Sequence, residues 1–278
     1  MRRTCLLILA LQLSSVCTLA SAQETVTYKK MHHPVYSKTG MVAAQNRIPA
    51  EIGAQVLADG GNAVDAAVAV GFSLAVTMPS AGNIGGGGFM LVYDAESGTT
   101  TAIDYREMAP LTATRDMFLD ADGNADPNLS RRSLLSSGVP GTVAGLYYAH
   151  QEFGKLPWKR LVQPAADLAR NGIILNHELS SNLRNRQSRL CVDDTTCGYF
   201  YKPGKVPYKM GELLVQEDLA ITLQLIADDG PDVFYKGEIA EKIVAKMEAG
   251  DPSVSIDLLV KSLLALGASP KDLAKAIS

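Results

Sequence analysis

Along the first hundred residues apolar positions recur first at helical spacing and then at strand spacing. In "IPAEIGAQVLADGG" Ile52, Val56 and Leu57 fall on one helix face, Pro49 suits a first turn, and Gly60 and Gly61 stop the run. A second helix opens at once in "NAVDAAVAVGFSLAV", where Asn62 caps and Asp65, three residues on, completes a capping-box pair. That segment is apolar on nearly all sides and rich in Ala, which predicts a helix buried between other layers. Ahead of both, "GMVAAQ" (residues 40–45) reads as a short buried strand. "FMLVYD", the turn "AESG" and "TTTAIDYREMAP" predict a hairpin. Its first strand is read as a central, nearly continuously apolar one; in its second, Thr101, Ile103 and Tyr105 alternate with Ala102, Asp104 and Arg106.

Downstream, "SGVPGTVAGLYYAHQEF" reads as a loop entering a helix and "LVQPAADLARNG" as further helix. Residues 217–247 read as helices broken at "DDGPD" and "YKGE", with Ile221, Leu225 and Ile226 on one stripe. With no internal repeat and no low-complexity tract, the pattern is a mixed α and β class in which helices cover a sheet.

Composition narrows this further. At 47% hydrophobic and 20% charged the chain is an ordinary globular protein, and 278 residues suit one large domain or two modest ones. A net charge of -3 with scattered basic residues leaves no electrostatic footprint for a nucleic-acid partner. The densest basic run, "RNRQSR" at 184–189, is followed by Asp193 and Asp194 and reads as a solvated helix face.

At the N-terminus, Arg2 and Arg3, an apolar stretch over residues 6–13 and the triplet Ala20-Ser21-Ala22 predict a signal peptide of residues 1–22, with an N-terminal anchor as the alternative. The apolar run is too short to span a bilayer and no later run is long enough, so a soluble periplasmic or secreted protein is expected. Cys5 and Cys17 leave with that leader. Cys191 and Cys197, in "CVDDTTC", then read as a disulfide in an oxidising compartment, or else as two free thiols.

Four consecutive glycines in "AGNIGGGGFML" invite a phosphate-loop reading, which fails. A P-loop requires Lys and Ser or Thr where Phe89 and Met90 stand, and no GxGxxG register fits. No cofactor is expected. The run instead permits another chain segment to approach a backbone stripped of side chains. Asp120, Asp122, Asn124 and Asp126 alternate as in a calcium loop, but Gly123 is misplaced and Arg131 stands where a bidentate Glu belongs, so a surface turn is expected. His150 and His177 are isolated and read as structural; no GxSxG elbow supports a Ser-His-Asp hydrolase.

Taken together and in order, "EIGAQVLADGGNAVDAAVAV", "AGNIGGGGFML", "AIDYREMAP", "SGVPGTVAG" and "GPDVFYKGEIAEKI" resemble the large-subunit half of γ-glutamyltranspeptidase, also called glutathione hydrolase. The resemblance covers about residues 38–247. It implies an α+β fold, the αββα sandwich of N-terminal nucleophile hydrolases, here incomplete. It also implies a precursor that cuts itself, so that a Thr at the new N-terminus of a small subunit attacks the γ-glutamyl amide of compounds such as glutathione, its own α-amino group acting as base. The acyl group then passes to water or an acceptor amine. Arg106 is the residue the resemblance marks as substrate-binding, forking onto the α-carboxylate of the γ-glutamyl group. A salt bridge to Glu107 or Asp104 is the alternative.

The nucleophilic Thr segment is absent from this sequence, since neither Thr99–Thr101 nor Thr195–Thr196 has the family's context. No catalytic residue is therefore assigned, and the chain is expected to need a small subunit for chemistry; an inactive binding or scaffold homologue is the alternative. Residues 23–247 form the expected domain. Residues 248–278 do not align with the family and read as a helical hairpin, with Ile256, Leu259, Leu263 and Leu266 on one side, Gly267 as a stop and Ser269-Pro270 as a restart. A truncated product, a rearranged end and a natural cover for an exposed sheet edge all accommodate that tail.

Overall fold

The computed structural model describes residues 36–109, 113–132, 136, 138–192, 194–236 and 239. The expected leader, His32 and His33, and the expected helical hairpin at 248–278 lie outside the described residues. Two compact units divide the chain, Met1–Thr39 and Gly40–Ser278. Of the first, only residues 36–39 are described; the second holds every element below.

Helix α1 (Arg47–Ala58) begins where the Asn46 side chain accepts from the Ile48 N–H, and buries Pro49, Gly53 and Val56. Helix α2 (Ala63–Thr77) has the capping box its sequence predicts: Asn62 Oδ1 accepts from the Val64 and Asp65 N–H groups, and Asp65 Oδ2 accepts from the Asn62 N–H. Val68, Phe72 and Val76 of α2 are wholly buried, and each such side chain contributes roughly 1.5–3 kcal/mol relative to exposure. Helix α2 packs against α1, against α4 (Thr142–Phe153) and against α5 (Trp158–Asn171). In turn α5 packs against α8 (Glu217–Asp229), where Gln163 and Gln224 exchange hydrogen bonds of 2.8 and 2.9 Å. Between these helices the Trp158 indole donates to Ile226 O at 2.8 Å and meets Phe72 and Tyr147 edge to face.

The remaining helices are α3 (Pro127–Arg132), α6 (His177–Leu190), α7 (Asp194–Phe200) and α9 (Asp232–Tyr235). Strands β1 (Phe89–Asp94) and β2 (Thr99–Asp104) form the antiparallel hairpin, Phe89 opposite Asp104 and Asp94 opposite Thr99. Two short ladders complete the set, β3 (Ile173–Ile174) with β6 (Leu213–Leu214) and β4 (Tyr201–Lys202) with β5 (Val206–Pro207). The αββα sandwich is not assembled among the described residues, whose strands make three separate two-stranded sheets. No helix among the described residues is long and apolar enough to cross a membrane.

Three expectations are corrected. Residues 40–45 form no strand, because no described segment pairs with them and Met41 is exposed. The first hairpin strand is not buried on both faces: Phe89, Leu91 and Tyr93 are 65%, 75% and 67% exposed, while Met90 and Val92 pack on the core. On α8 the buried stripe is Ala220, Leu223, Ile226 and Ala227, the face that meets α5, and Ile221 points outward. The basic residues of 184–189 lie exposed on α6, and Asp120 closes a turn by accepting from the Asp122 and Asn124 N–H groups.

Candidate functional site

Past the end of β2 the chain does not leave the hairpin at once. Tyr105 exchanges backbone hydrogen bonds with Gly88, at 2.9 Å through its N–H and 3.3 Å through its O, and three residues on Met108 bridges to Val139 in both directions. Gly86 O meanwhile accepts from both the Gly141 and Thr142 N–H groups, at 2.8 and 2.9 Å. The glycine run, the "YREM" segment and the entry to α4 are thereby drawn into one cluster.

This cluster answers what the glycines are for. A Cβ at Gly87 would stand 2.5 Å from Tyr105 O and 2.8 Å from Arg106 Cα, and one at Gly141 would overlap Tyr105 O. A Cβ at Gly145 would strike the Tyr105 ring. The close approach is made by the backbone that carries Arg106.

A cleft of about 780 Å³ opens beside it, between β2, the first half of α4 and α9. Ile103, Tyr105, Tyr147 and Tyr235 give it apolar walls, and Asp104, Arg106, Asp232 and Lys236 its polar points. Tyr235 fixes two of the walls together, its hydroxyl accepting from the Ala144 N–H at 3.0 Å and donating to Pro140 O at 3.3 Å. Burial raises the Tyr235 phenol far above its usual range, against the opposing Ala144 N–H, and also raises that of Tyr105. No Ser, Thr, Cys or His stands among the described residues lining this cleft.

Arg106 sits at the cleft rim with its side chain 60% exposed. Its Nε donates to Glu107 Oε2 at 3.0 Å, and its guanidinium lies 5.7 Å from the Phe89 ring centroid. Asp104 engages only the Arg106 backbone N–H, at 3.0 Å. The Glu107 carboxyl is held below the usual carboxylate range by its own backbone N–H, and then by Arg106 and the Gly87 N–H, against desolvation. The two Nη groups of Arg106 make no hydrogen bond or ion pair within the described residues.

Elsewhere, Cys191 and Cys197 are joined by a disulfide between α6 and α7, far along the chain from the cleft residues. His150 is satisfied structurally, its Nε2 2.8 Å from Leu156 O and its ring against Trp158. His177 opens α6 on the surface. Tyr235, Gly141 and Gly145 were not singled out by sequence reasoning, although the spacing of the two glycines across one helical turn signals a close approach on a single face.

The matching family model is that of γ-glutamyltranspeptidase, over residues 49–258. The glutathione hydrolase proenzyme of Escherichia coli is 52% identical over 217 residues, covering 78% of this chain and 37% of that protein. Among solved structures, the γ-glutamyltranspeptidase of Helicobacter pylori superposes with a TM-score of 0.77 at 42% identity, covering 81% of this chain and 65% of that one. The enzyme from Pseudomonas nitroreducens, solved in complex with L-DON, superposes with a TM-score of 0.70 at 44% identity, over 81% and 65%. Over four-fifths of its length the chain thus has the fold of solved γ-glutamyltranspeptidases. The chain belongs to the γ-glutamyltranspeptidase family and corresponds to its N-terminal, large-subunit part. It spans little more than a third of the curated relatives it matches.

Proposed function

We propose that the chain is the large-subunit component of a γ-glutamyltransferase, and that it contributes the wall of the acyl-donor pocket in which Arg106 binds the α-carboxylate of γ-glutamyl compounds such as glutathione. The observation that carries this is the Arg106 guanidinium, presented at the mouth of the cleft with both Nη groups unengaged within the described residues. Two parallel N–H donors of fixed geometry match a carboxylate. The described residues lining the cleft include no Ser, Thr or Cys, in keeping with chemistry carried by a small subunit whose Thr transfers the acyl group to water or an amine.

The uncovered apolar face of β1, at Phe89, Leu91 and Tyr93, supports such a partner, because strands added there would turn the hairpin into the inner layer of an αββα sandwich. Residues 1–22 serve as an export leader, placing the protein in the periplasm or outside the cell, where the Cys191–Cys197 disulfide persists. The domain spans residues 23–247, and the family match, over residues 49–258, runs eleven residues past that end.

The test is anilide release from a γ-glutamyl anilide by the mature chain, alone and mixed with the small subunit of a complete homologue. Activity in the mixture only is expected. Silence in both, or activity of the chain alone, overturns the proposal.

A further inference from the structure

Arg106 reaches the cleft on a long, exposed side chain, and a guanidinium free to rotate loses entropy each time it docks a carboxylate. Two contacts restrict it. Glu107 Oε2 takes the Nε hydrogen at 3.0 Å, which uses the one donor that cannot belong to the paired Nη fork. The Phe89 ring covers a guanidinium face at 5.7 Å. Glu107 is itself seated: its side chain is only 32% exposed, and its Oε1 lies 3.6 Å from the place a Gly86 Cβ would occupy, against the bare backbone of the glycine run.

We infer that Glu107 is a positioning residue for substrate, holding the Arg106 guanidinium by its Nε edge so that both Nη groups face the cleft as a preformed fork for an α-carboxylate. The inference rests on the proposed role of Arg106 and extends it to a second residue. It also assigns the glycine run a part in recognition. The Gly87 N–H reaches the Glu107 carboxylate, and that carboxylate sets the direction of the arginine.

A competing role for Glu107 makes the opposite prediction. If the carboxylate only compensated the arginine charge, its removal would strengthen the attraction for an anion. At a pair this exposed the charge effect is screened and small, and orientation dominates.

The experiment titrates the full chain, mixed with the small subunit of a complete homologue, with L-glutamate and with 4-aminobutyrate, which lacks the α-carboxylate. Neither probe carries an amide to be turned over. Glu107→Ala is expected to weaken L-glutamate roughly tenfold, about the effect of losing one charge-assisted contact. Glu107→Gln, whose amide oxygen still accepts from Nε, recovers most of the loss, and 4-aminobutyrate is indifferent to both changes. Arg106→Ala weakens L-glutamate at least as much. If the parent does not bind L-glutamate, or Arg106→Ala leaves binding unchanged, the proposed role of Arg106 fails and the inference with it. If Arg106→Ala weakens binding while Glu107→Ala leaves it unchanged or tighter, the inference alone fails. Equal weakening of both probes by Glu107→Ala, with a lowered melting temperature, marks a structural role and likewise overturns it.

Discussion

Gly145 shows most directly how a single residue sets this site. It lies on the first turns of α4 with the Tyr105 ring packed where its side chain would be, so that helix and recognition segment touch backbone to ring. Overpacking of this kind costs typically 1–3 kcal/mol, because the ring has to leave its rotamer or the helix has to shift. Gly145→Ala is therefore expected to lower the urea midpoint of unfolding and, by displacing the segment that carries Arg106, to weaken L-glutamate as well. An alanine tolerated without loss of either property would show that Tyr105 is not held there. Gly172 is a useful contrast. Its φ of 82° requires glycine, a Cβ there would also crowd Leu213 and Leu214 O, and a substitution strains the end of α5 without touching the cleft.

At the scale of elements, the start of α2 is where local sequence and long-range structure coincide. Asn62 closes the capping box, and the wholly buried Asp65 carboxylate also accepts from the Lys155 and Leu156 N–H groups at 3.0 to 3.3 Å, tying α2 to the connection between α4 and α5. Asn62→Ala is expected to cost about 0.5–2 kcal/mol, the usual range for a lost cap. Asp65→Ala should cost more, since the part-buried N–H groups of Asn62, Lys155 and Leu156 all lose their acceptor, a loss of about 1–3 kcal/mol for each one shut off from water. Denaturant melts of the two variants check this order; equal losses would mean that the bond from Asp65 to residues 155 and 156 contributes nothing. The capping box itself was legible in "NAVD", because Asn and Asp three apart specify it locally. The partner donors 90 residues on were not, since no local pattern announces which distant backbone an acid will reach. The same distinction explains β1: its apolar residues mark a strand, but alternation of burial depends on what lies on each face, and only Met90 and Val92 find core. It explains α8 as well, where Ile221 and Ala220 sit on adjacent lines and packing against α5 decides between them. Arg106 was legible through its motif and its ion pair with the adjacent Glu107 was the alternative read there; the contact with Phe89 depended on the fold.

For the molecule as a whole, the first turn of α5 connects three helices by charge. Arg160 pairs with Asp59 at the C-cap of α1, and Lys159 pairs with Asp228 near the end of α8. Asp59 is held below the ordinary carboxylate range by the Gln55 side chain and then by Arg160, and Asp228 by Lys159 and then by Gln224. A carboxyl group whose pKa is lower folded than unfolded stabilises the native state above its unfolded pKa. That contribution disappears as pH falls through the lower, folded pKa. Both pairs therefore stabilise at neutral pH; their contribution should begin to fade as pH falls below about 4, the ordinary range for these groups, and be gone below their lower folded values. The double variant Asp59→Asn, Asp228→Asn is expected to melt at a lower temperature than the parent at pH 7 and at nearly the same temperature well below that range, so that its profile against pH is flatter. Thermal melts followed by circular dichroism from neutral to strongly acidic pH measure this. Parallel profiles, with the same deficit at every pH, would locate the loss in helix ends and not in charge. Because neither pair lines the cleft, the variant should still bind L-glutamate at neutral pH with the affinity of the parent, which separates the electrostatics that hold the helices together from those that recognise the carboxylate.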